Sequence, residues 1–254
     1  IGKELTTEQR LSKAVVDIMG NPKYVALAGI LMIGDRTFSE EIPTACTNGR
    51  DEMYNPKYVD SLTDPQLRYL VLHENYHKLY RHLVTWLHLM RINPELANVA
   101  MDFVINLKIS DDNKDGFATI PDGGCYDVQF RGMDTAQVFN LLLKRLKQQP
   151  SRPQAGNGQG TQSNGLPDGV PQGFDQHDWE GAEQMSAEEQ REIAKDVDEA
   201  IRQGALIAGK MGTGGDRDLV ELLKPQIDWR EVLREFITST CAGSDYSTWQ
   251  RPNR

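Results

Sequence analysis

The sequence predicts a mostly helical α+β protein, with a small sheet placed just ahead of one long helix. Three observations carry that prediction. Apolar residues recur at helical spacing, as in Leu67, Leu70, Val71, Leu79 and Leu83. A capping residue followed by proline occurs at Thr63-Asp64-Pro65 and at Asn93-Pro94, and proline suits the first helical turn because no partner is lost there. Asn48-Gly49 stands between two strand-like runs, and a tight hairpin turn needs the positive φ that this pair tolerates.

Taken in order, Thr6 to Met19 is expected to be a helix, with Thr7 as its cap and Leu11, Val15, Val16 and Ile18 as apolar positions. Pro22 to Ile33 is apolar throughout, and periodicity alone does not choose between buried helix and strand. Glu41 to Cys46 and Asp51 to Tyr54 form a hairpin around Thr47-Asn48-Gly49-Arg50. The long helix starts at Thr63 and is expected to run to about Arg91. A second helix runs from Asn93 to about Ser110, and a third opens at Gly132 to Thr135 and reaches Gln148. Residues 149–173 hold Gly, Pro, Gln, Asn and Ser with little to bury, which reads as a flexible linker or loop. Beyond it, Ser186 to Met211, Asp216 to Leu223 and Trp229 to Thr240 are helical candidates. The division is therefore a core at 1–148, the linker at 149–173, and a helical region at 174–254 that packs on the core.

A chain of 254 residues can bury a substantial core. Its net charge of −9 argues against nucleic acid as a partner, because phosphate contacts need a basic stripe. Cys46, Cys125 and Cys241 lie far apart without metal-site spacing, which suits a reducing compartment. The longest apolar run, Tyr24 to Gly34, is about half of what a membrane span needs. A soluble, cytoplasmic protein with no membrane association is the expectation. The start at Ile1 and the ending at Trp249 to Arg254 suggest a piece of a longer chain.

The chemistry centres on His73-Glu74-Asn75-Tyr76-His77, an HExxH motif. Residues four apart share a helix face, so both imidazoles can reach one ion, with the glutamate beside the water that the ion activates. Zn²⁺ lowers that water's pKa and the carboxylate takes its proton. Chance alone produces HExxH in under about one per cent of chains this long. A catalytic zinc usually takes a third protein ligand. His82 falls about 140° around a continuous helix from His77, and His88 lies roughly 16 Å along it. Both are read as surface or interface histidines. The second helix is apolar nearly all round, except for Asn98, Asp102 and Asn106, spaced by four. A buried Asp needs a partner, so Asp102 is the expected third ligand; the alternatives are that the stripe faces solvent or caps a loop, and that Glu95 is the ligand. Asn98 and Asn106 would orient ligands or touch substrate.

Other features compete for attention. Asp111-x-Asn113-x-Asp115-Gly116 matches the start of a calcium loop, but no helix follows and the closing Glu is missing, so a polar turn is the rival reading. His177 stands beside Trp179 at the linker's end, either as a catalytic hydrogen-bond donor or as a surface histidine at a helix start. Tyr54 and Tyr126 are further donor candidates.

With these residues in hand, the chain resembles the metallopeptidase domain that usually precedes a von Willebrand factor A-like domain in bacteria and phages, often beside MoxR-type AAA+ ATPases. The matching stretches are Thr44 to Val59, the HENYH motif, Asn98 to Asn106, Phe130-Arg-Gly-Met133, Asp228-Trp-Arg230, Asp245-Tyr246 and Arg251-Pro-Asn-Arg254. The resemblance implies a zincin-like fold, Zn²⁺ and hydrolysis of peptide bonds, with a MoxR-type ATPase or an A-like domain as partner. A phage-encoded version would act in the host cytoplasm. The first expectation is a zinc endopeptidase with Glu74 as base, whose peptide or protein substrate adds as a strand against the Arg50 to Tyr54 edge. The alternative is a catalytically silent zinc-binding module of an ATPase-linked assembly. A metal-dependent hydrolase of non-peptide substrates is a third.

Overall fold

A computed structural model describes residues 4–149, 166–171, 173 and 183–211. Helix α1 (Thr7–Gly20) is capped by Thr6, one residue ahead of the expected Thr7. The Thr6 side chain accepts from the Gln9 amide while the Gln9 side chain accepts from the Thr6 amide. This capping box satisfies two amides that would otherwise lack acceptors. Leu11, Ala14, Val15 and Ile18 are buried, whereas Val16 points outward. The ambiguous apolar run proves helical, as a 3₁₀ turn (Val25–Leu27) followed by α2 (Ala28–Leu31). Among the described residues, no single helix is long and apolar enough to cross a membrane.

Three short strands, β1 (Arg36–Phe38), β2 (Ala45–Thr47) and β3 (Glu52–Tyr54), make one sheet in the order β1-β3-β2. The Asn48-Gly49 hairpin joins β2 to β3 in antiparallel register, with Gly49 at φ 93° as the turn requires. β1, absent from the sequence reading, pairs parallel to β3 on the other side. β3 is therefore the central strand. Strand addition at Arg50 to Tyr54 has no free edge there, because both sides of β3 are already hydrogen-bonded.

After α3 (Pro56–Ser61), capped by the Asn55 side chain, comes the key helix α4 (Asp64–Leu79). It starts where Thr63 and Pro65 predict, but ends about twelve residues early. Arg81 takes left-handed backbone angles, φ 52° and ψ 40°, and stops the helix as a glycine would. Two single turns follow, α5 (His82–Thr85) and α6 (Leu87–Met90). Next, α7 (Pro94–Asp112) begins at Asn93, whose side chain accepts from the Leu96 amide. α8 (Thr135–Gln148) opens with a capping box between Asp134 and Gln137. The last described helix is α9 (Ala187–Met211).

Two apolar clusters form the interior. One joins α1, α2, α4 and α9 beneath the sheet; the other gathers α7, α8 and Phe130. α7 contributes to both, through Ile105 and Ile109 on one side and Ala100 and Phe103 on the other. The contact between α4 and α7 is thus the seam of the molecule. α9 lies so close to the 3₁₀ turn that a Cβ on Gly204 would fall 1.9 Å from the Ala26 carbonyl oxygen.

Candidate metal centre

His73 and His77 stand one turn apart on α4 and face Asp102 of α7 across the seam. Their Nε2 atoms are 3.0 Å from each other, and each is 3.6 Å from Asp102 Oδ1. A point equidistant from the three atoms lies about 2.0 Å from each, which is the bonding distance of zinc to imidazole nitrogen and close to that for carboxylate oxygen. All three residues are buried, and they form a group able to hold a metal ion. Glu74 is buried beside them on the same turn.

The far nitrogen of each imidazole is also held. His73 Nδ1 lies 2.9 Å from Asn106 Oδ1. The Asn106 amide nitrogen donates to the Cys125 carbonyl at 3.0 Å, and the Tyr69 hydroxyl donates to Asn106 Oδ1 at 3.1 Å. The amide oxygen therefore faces His73 as an acceptor, which places the His73 proton on Nδ1 and leaves the Nε2 lone pair toward the centre. Burial pushes the Tyr69 phenol well above its ordinary range and keeps it a donor. Asn106 is one of the three polar residues read from the α7 stripe. Asn98, another of them, is only half-buried.

His77 Nδ1 lies 3.2 Å from His82 Nδ1. The expected surface histidine is therefore buried, a correction that follows from the break at Arg81. No residue in the sequence marks that break, since it falls on an arginine. His88 is exposed against Trp86, as expected.

Behind α4 lies a second buried polar group. Lys78 Nζ donates to Glu52 Oε1 at 2.5 Å and to the Ile33 carbonyl at 2.9 Å. Arg36 Nε and the Tyr54 hydroxyl donate to Glu52 Oε2 at 3.2 and 2.5 Å. Desolvation lowers the Lys78 pKa, opposed by the Glu52 charge. Burial, then the charges of Glu52 and Glu74, push the Tyr54 phenol well above its usual range. Tyr54 is thus committed to Glu52 as a structural donor, and the exposed Tyr126 is not part of this group.

Other expected residues go elsewhere. Asp111 pairs with Arg131 at 2.8 Å and Asp115 with Lys23 at 2.8 Å; these hydrogen bonds hold both carboxyls below the usual range. The Asn113 amide donates to the Ile109 carbonyl and to Tyr24. The loop's carboxylates thus pair with Arg131 and Lys23, and nothing in the loop supports calcium. Glu95 is half-buried and outside the metal group. His177 lies outside the described residues.

One feature of the site has no sequence signal. The stretch read as linker returns to the centre at its far end. Leu166 and Val170 pack on the second cluster, and Cys125 Sγ donates to the Pro171 carbonyl at 3.5 Å. Gly173, at φ 82°, sits so near that a Cβ there would fall 2.7 Å from Asp102 Oδ2.

Comparison with known families gives one match: residues 6–254 fit the family described as "Putative metallopeptidase domain". No curated protein and no solved structure matches the chain.

Proposed function

The chain belongs to that family, and from this premise we propose that it is a zinc-dependent peptidase in which His73, His77 and Asp102 hold the metal and Glu74 carries the proton. The observation that supports the reading is the common point about 2.0 Å from three buried donor atoms. Two imidazoles and one carboxylate suit zinc, and three protein ligands are the pattern of catalytic sites. Bound zinc would supply Lewis acidity, drawing the pKa of water toward 7 and polarising a scissile carbonyl. Asn106 keeps the His73 lone pair aimed inward. With zinc bound, the buried carboxylate of Asp102 would offset part of its charge. Glu74 accepts the proton of the attacking water and returns it to the leaving amine of a peptide or protein substrate.

One observation favours a second reading, a silent zinc-binding module working with an ATPase and a von Willebrand factor A-like domain. His73, His77 and Glu74 are fully buried, and Gly173 lies against Asp102, so a substrate reaches the centre only if that cover moves.

Elemental analysis of wild type, His77→Ala and Asp102→Ala tests the site. The expected result is one zinc per chain, abolished by the first change and weakened by the second. Glu74→Gln then separates the two readings. A wild type that cleaves unfolded casein, with cleavage but not zinc lost in the variant, supports the peptidase. Zinc without cleavage in the wild type supports the module. A wild type that takes up no zinc at neutral pH sinks both.

A further inference from the structure

His82 is a buried imidazole that the proton chemistry above does not use. On a continuous helix it would point about 140° away from His77. Instead the chain reverses at Arg81, in a left-handed conformation that an arginine adopts only at a cost. The reversal brings His82 back against α4, leaving it 3% exposed. A ring contact and an ion pair at the reversal help to hold it there. Its ring stacks on Tyr80, with centroids 5.4 Å apart and planes 22° from parallel. The Arg81 guanidinium pairs with Asp198 of α9, which ties the reversal to a distant helix. The His82 ring meets His77 edge-on, at 80°, with the two Nδ1 atoms 3.2 Å apart.

The proton count on His77 then follows. A neutral imidazole has one N–H and one lone pair. His77 Nε2 points its lone pair at the centre, so Nδ1 carries the proton and needs an acceptor. His82 Nδ1 lies in that position, which puts the proton of His82 on its own Nε2. Resting on the reading that His77 binds the metal, we propose that His82 is a positioning residue of the metal centre: it accepts the His77 Nδ1–H and so fixes that ligand's tautomer and ring angle. His73 is served in the same way by the Asn106 amide oxygen, so each histidine has a neutral acceptor. Partners of this kind commonly change metal affinity by about 10–100-fold when removed.

The test compares zinc affinity, by competition with a chromophoric chelator, in wild type, His82→Phe and His82→Asn. Phenylalanine keeps the ring and its stacking but offers no acceptor. Asparagine places an amide oxygen near the position of Nδ1. The proposal expects a loss of about 10–100-fold for H82F and recovery of most of it in H82N. Cobalt-loaded protein should follow suit, with an altered visible spectrum in H82F and a near wild-type one in H82N. Equal affinity of H82F and wild type overturns the positioning role and leaves the metal reading intact. Equal weakening in both variants also overturns it, since packing rather than the hydrogen bond would then be responsible. A wild type that binds no zinc overturns this proposal together with the metal reading. Should H82F not fold, long-range ¹H–¹⁵N correlation on zinc-loaded wild type decides: protons on His77 Nδ1 and His82 Nε2 support the proposal, and the opposite tautomers refute it.

Discussion

At the scale of single residues, the site divides by the kind of signal each one leaves. His73, Glu74 and His77 are legible from spacing, because one helix turn dictates which side chains can share an ion. Asp102 and Asn106 are legible from context, as polar residues in a helix that is otherwise buried all round. His82 is not, because its place depends on an arginine in a glycine-like conformation. Gly173 is also silent in the sequence, where it is one glycine among many in a polar stretch. Its contact with Asp102 is testable against an internal control. Gly169 has nearly the same backbone angle, φ 80°, but a Cβ there meets nothing within 4 Å. Gly169→Ala should cost only the backbone strain, roughly 1–2 kcal/mol. Gly173→Ala should cost that and also weaken zinc binding, because its methyl group would lie 2.7 Å from Oδ2 of Asp102 and push on the carboxylate whose Oδ1 faces the histidines. Chelator competition and thermal melting on the two variants read the difference. Equal zinc affinity in both would mean that the 166–173 stretch does not bear on the metal.

Elements show a different asymmetry: among the helices expected from the sequence, starts are legible and the ends of α1, α7, α8 and α9 fall within two residues of expectation, whereas α4 ends far short of it. Thr6, Thr63, Asn93 and Asp134 announce their helices by side-chain chemistry local to the cap. The end of α4 is set by tertiary contacts around Arg81, and β1, with three residues, is too short for a period to register. What pins α4 to the sheet is the buried Lys78 and Glu52 pair, which joins the last turn of the metal helix to the central strand. Removing one member leaves the other charged and buried, and such a break typically costs about 3–5 kcal/mol. Glu52→Gln should therefore lower stability on that order, seen as an earlier urea midpoint. The double change Glu52→Gln with Lys78→Met should recover part of the loss, since the fully buried ammonium is gone while the half-buried Arg36 still lacks its carboxylate. A single variant as stable as wild type would show that water reaches Lys78 after all.

Over the whole molecule, the metal group sits where two apolar clusters meet, and α7 belongs to both. The sequence indicates that these helices are buried but not which of their faces meet, so the seam itself was not legible. The same dense interior governs the response to alkali. Tyr24, Tyr54 and Tyr69 are buried, and in each case desolvation is the first cause that raises the phenol above its ordinary pKa. In the unfolded chain these groups ionise near pH 10. Between that pH and their folded values the unfolded state has released protons that the folded state keeps, so stability falls as pH rises. Below about pH 10 the contribution is fully present. Lys78 acts in the opposite sense and in a lower window: its folded pKa is lowered, so between that value and about 10.4 the unfolded lysine keeps a proton that the folded one has released, and stability rises there with pH. Above about pH 10.4 the lysine is neutral in both states and only the phenols act, so the slope there is negative. Urea unfolding at pH 8, 10 and 11 should show a midpoint that does not fall between pH 8 and 10 and then drops by pH 11. Tyrosinate absorbance should rise late and together with the loss of helical circular dichroism, because these phenols ionise only once the interior opens. Phenols that titrate fully near pH 10 in a chain that stays folded would contradict the burial of Tyr24, Tyr54 and Tyr69.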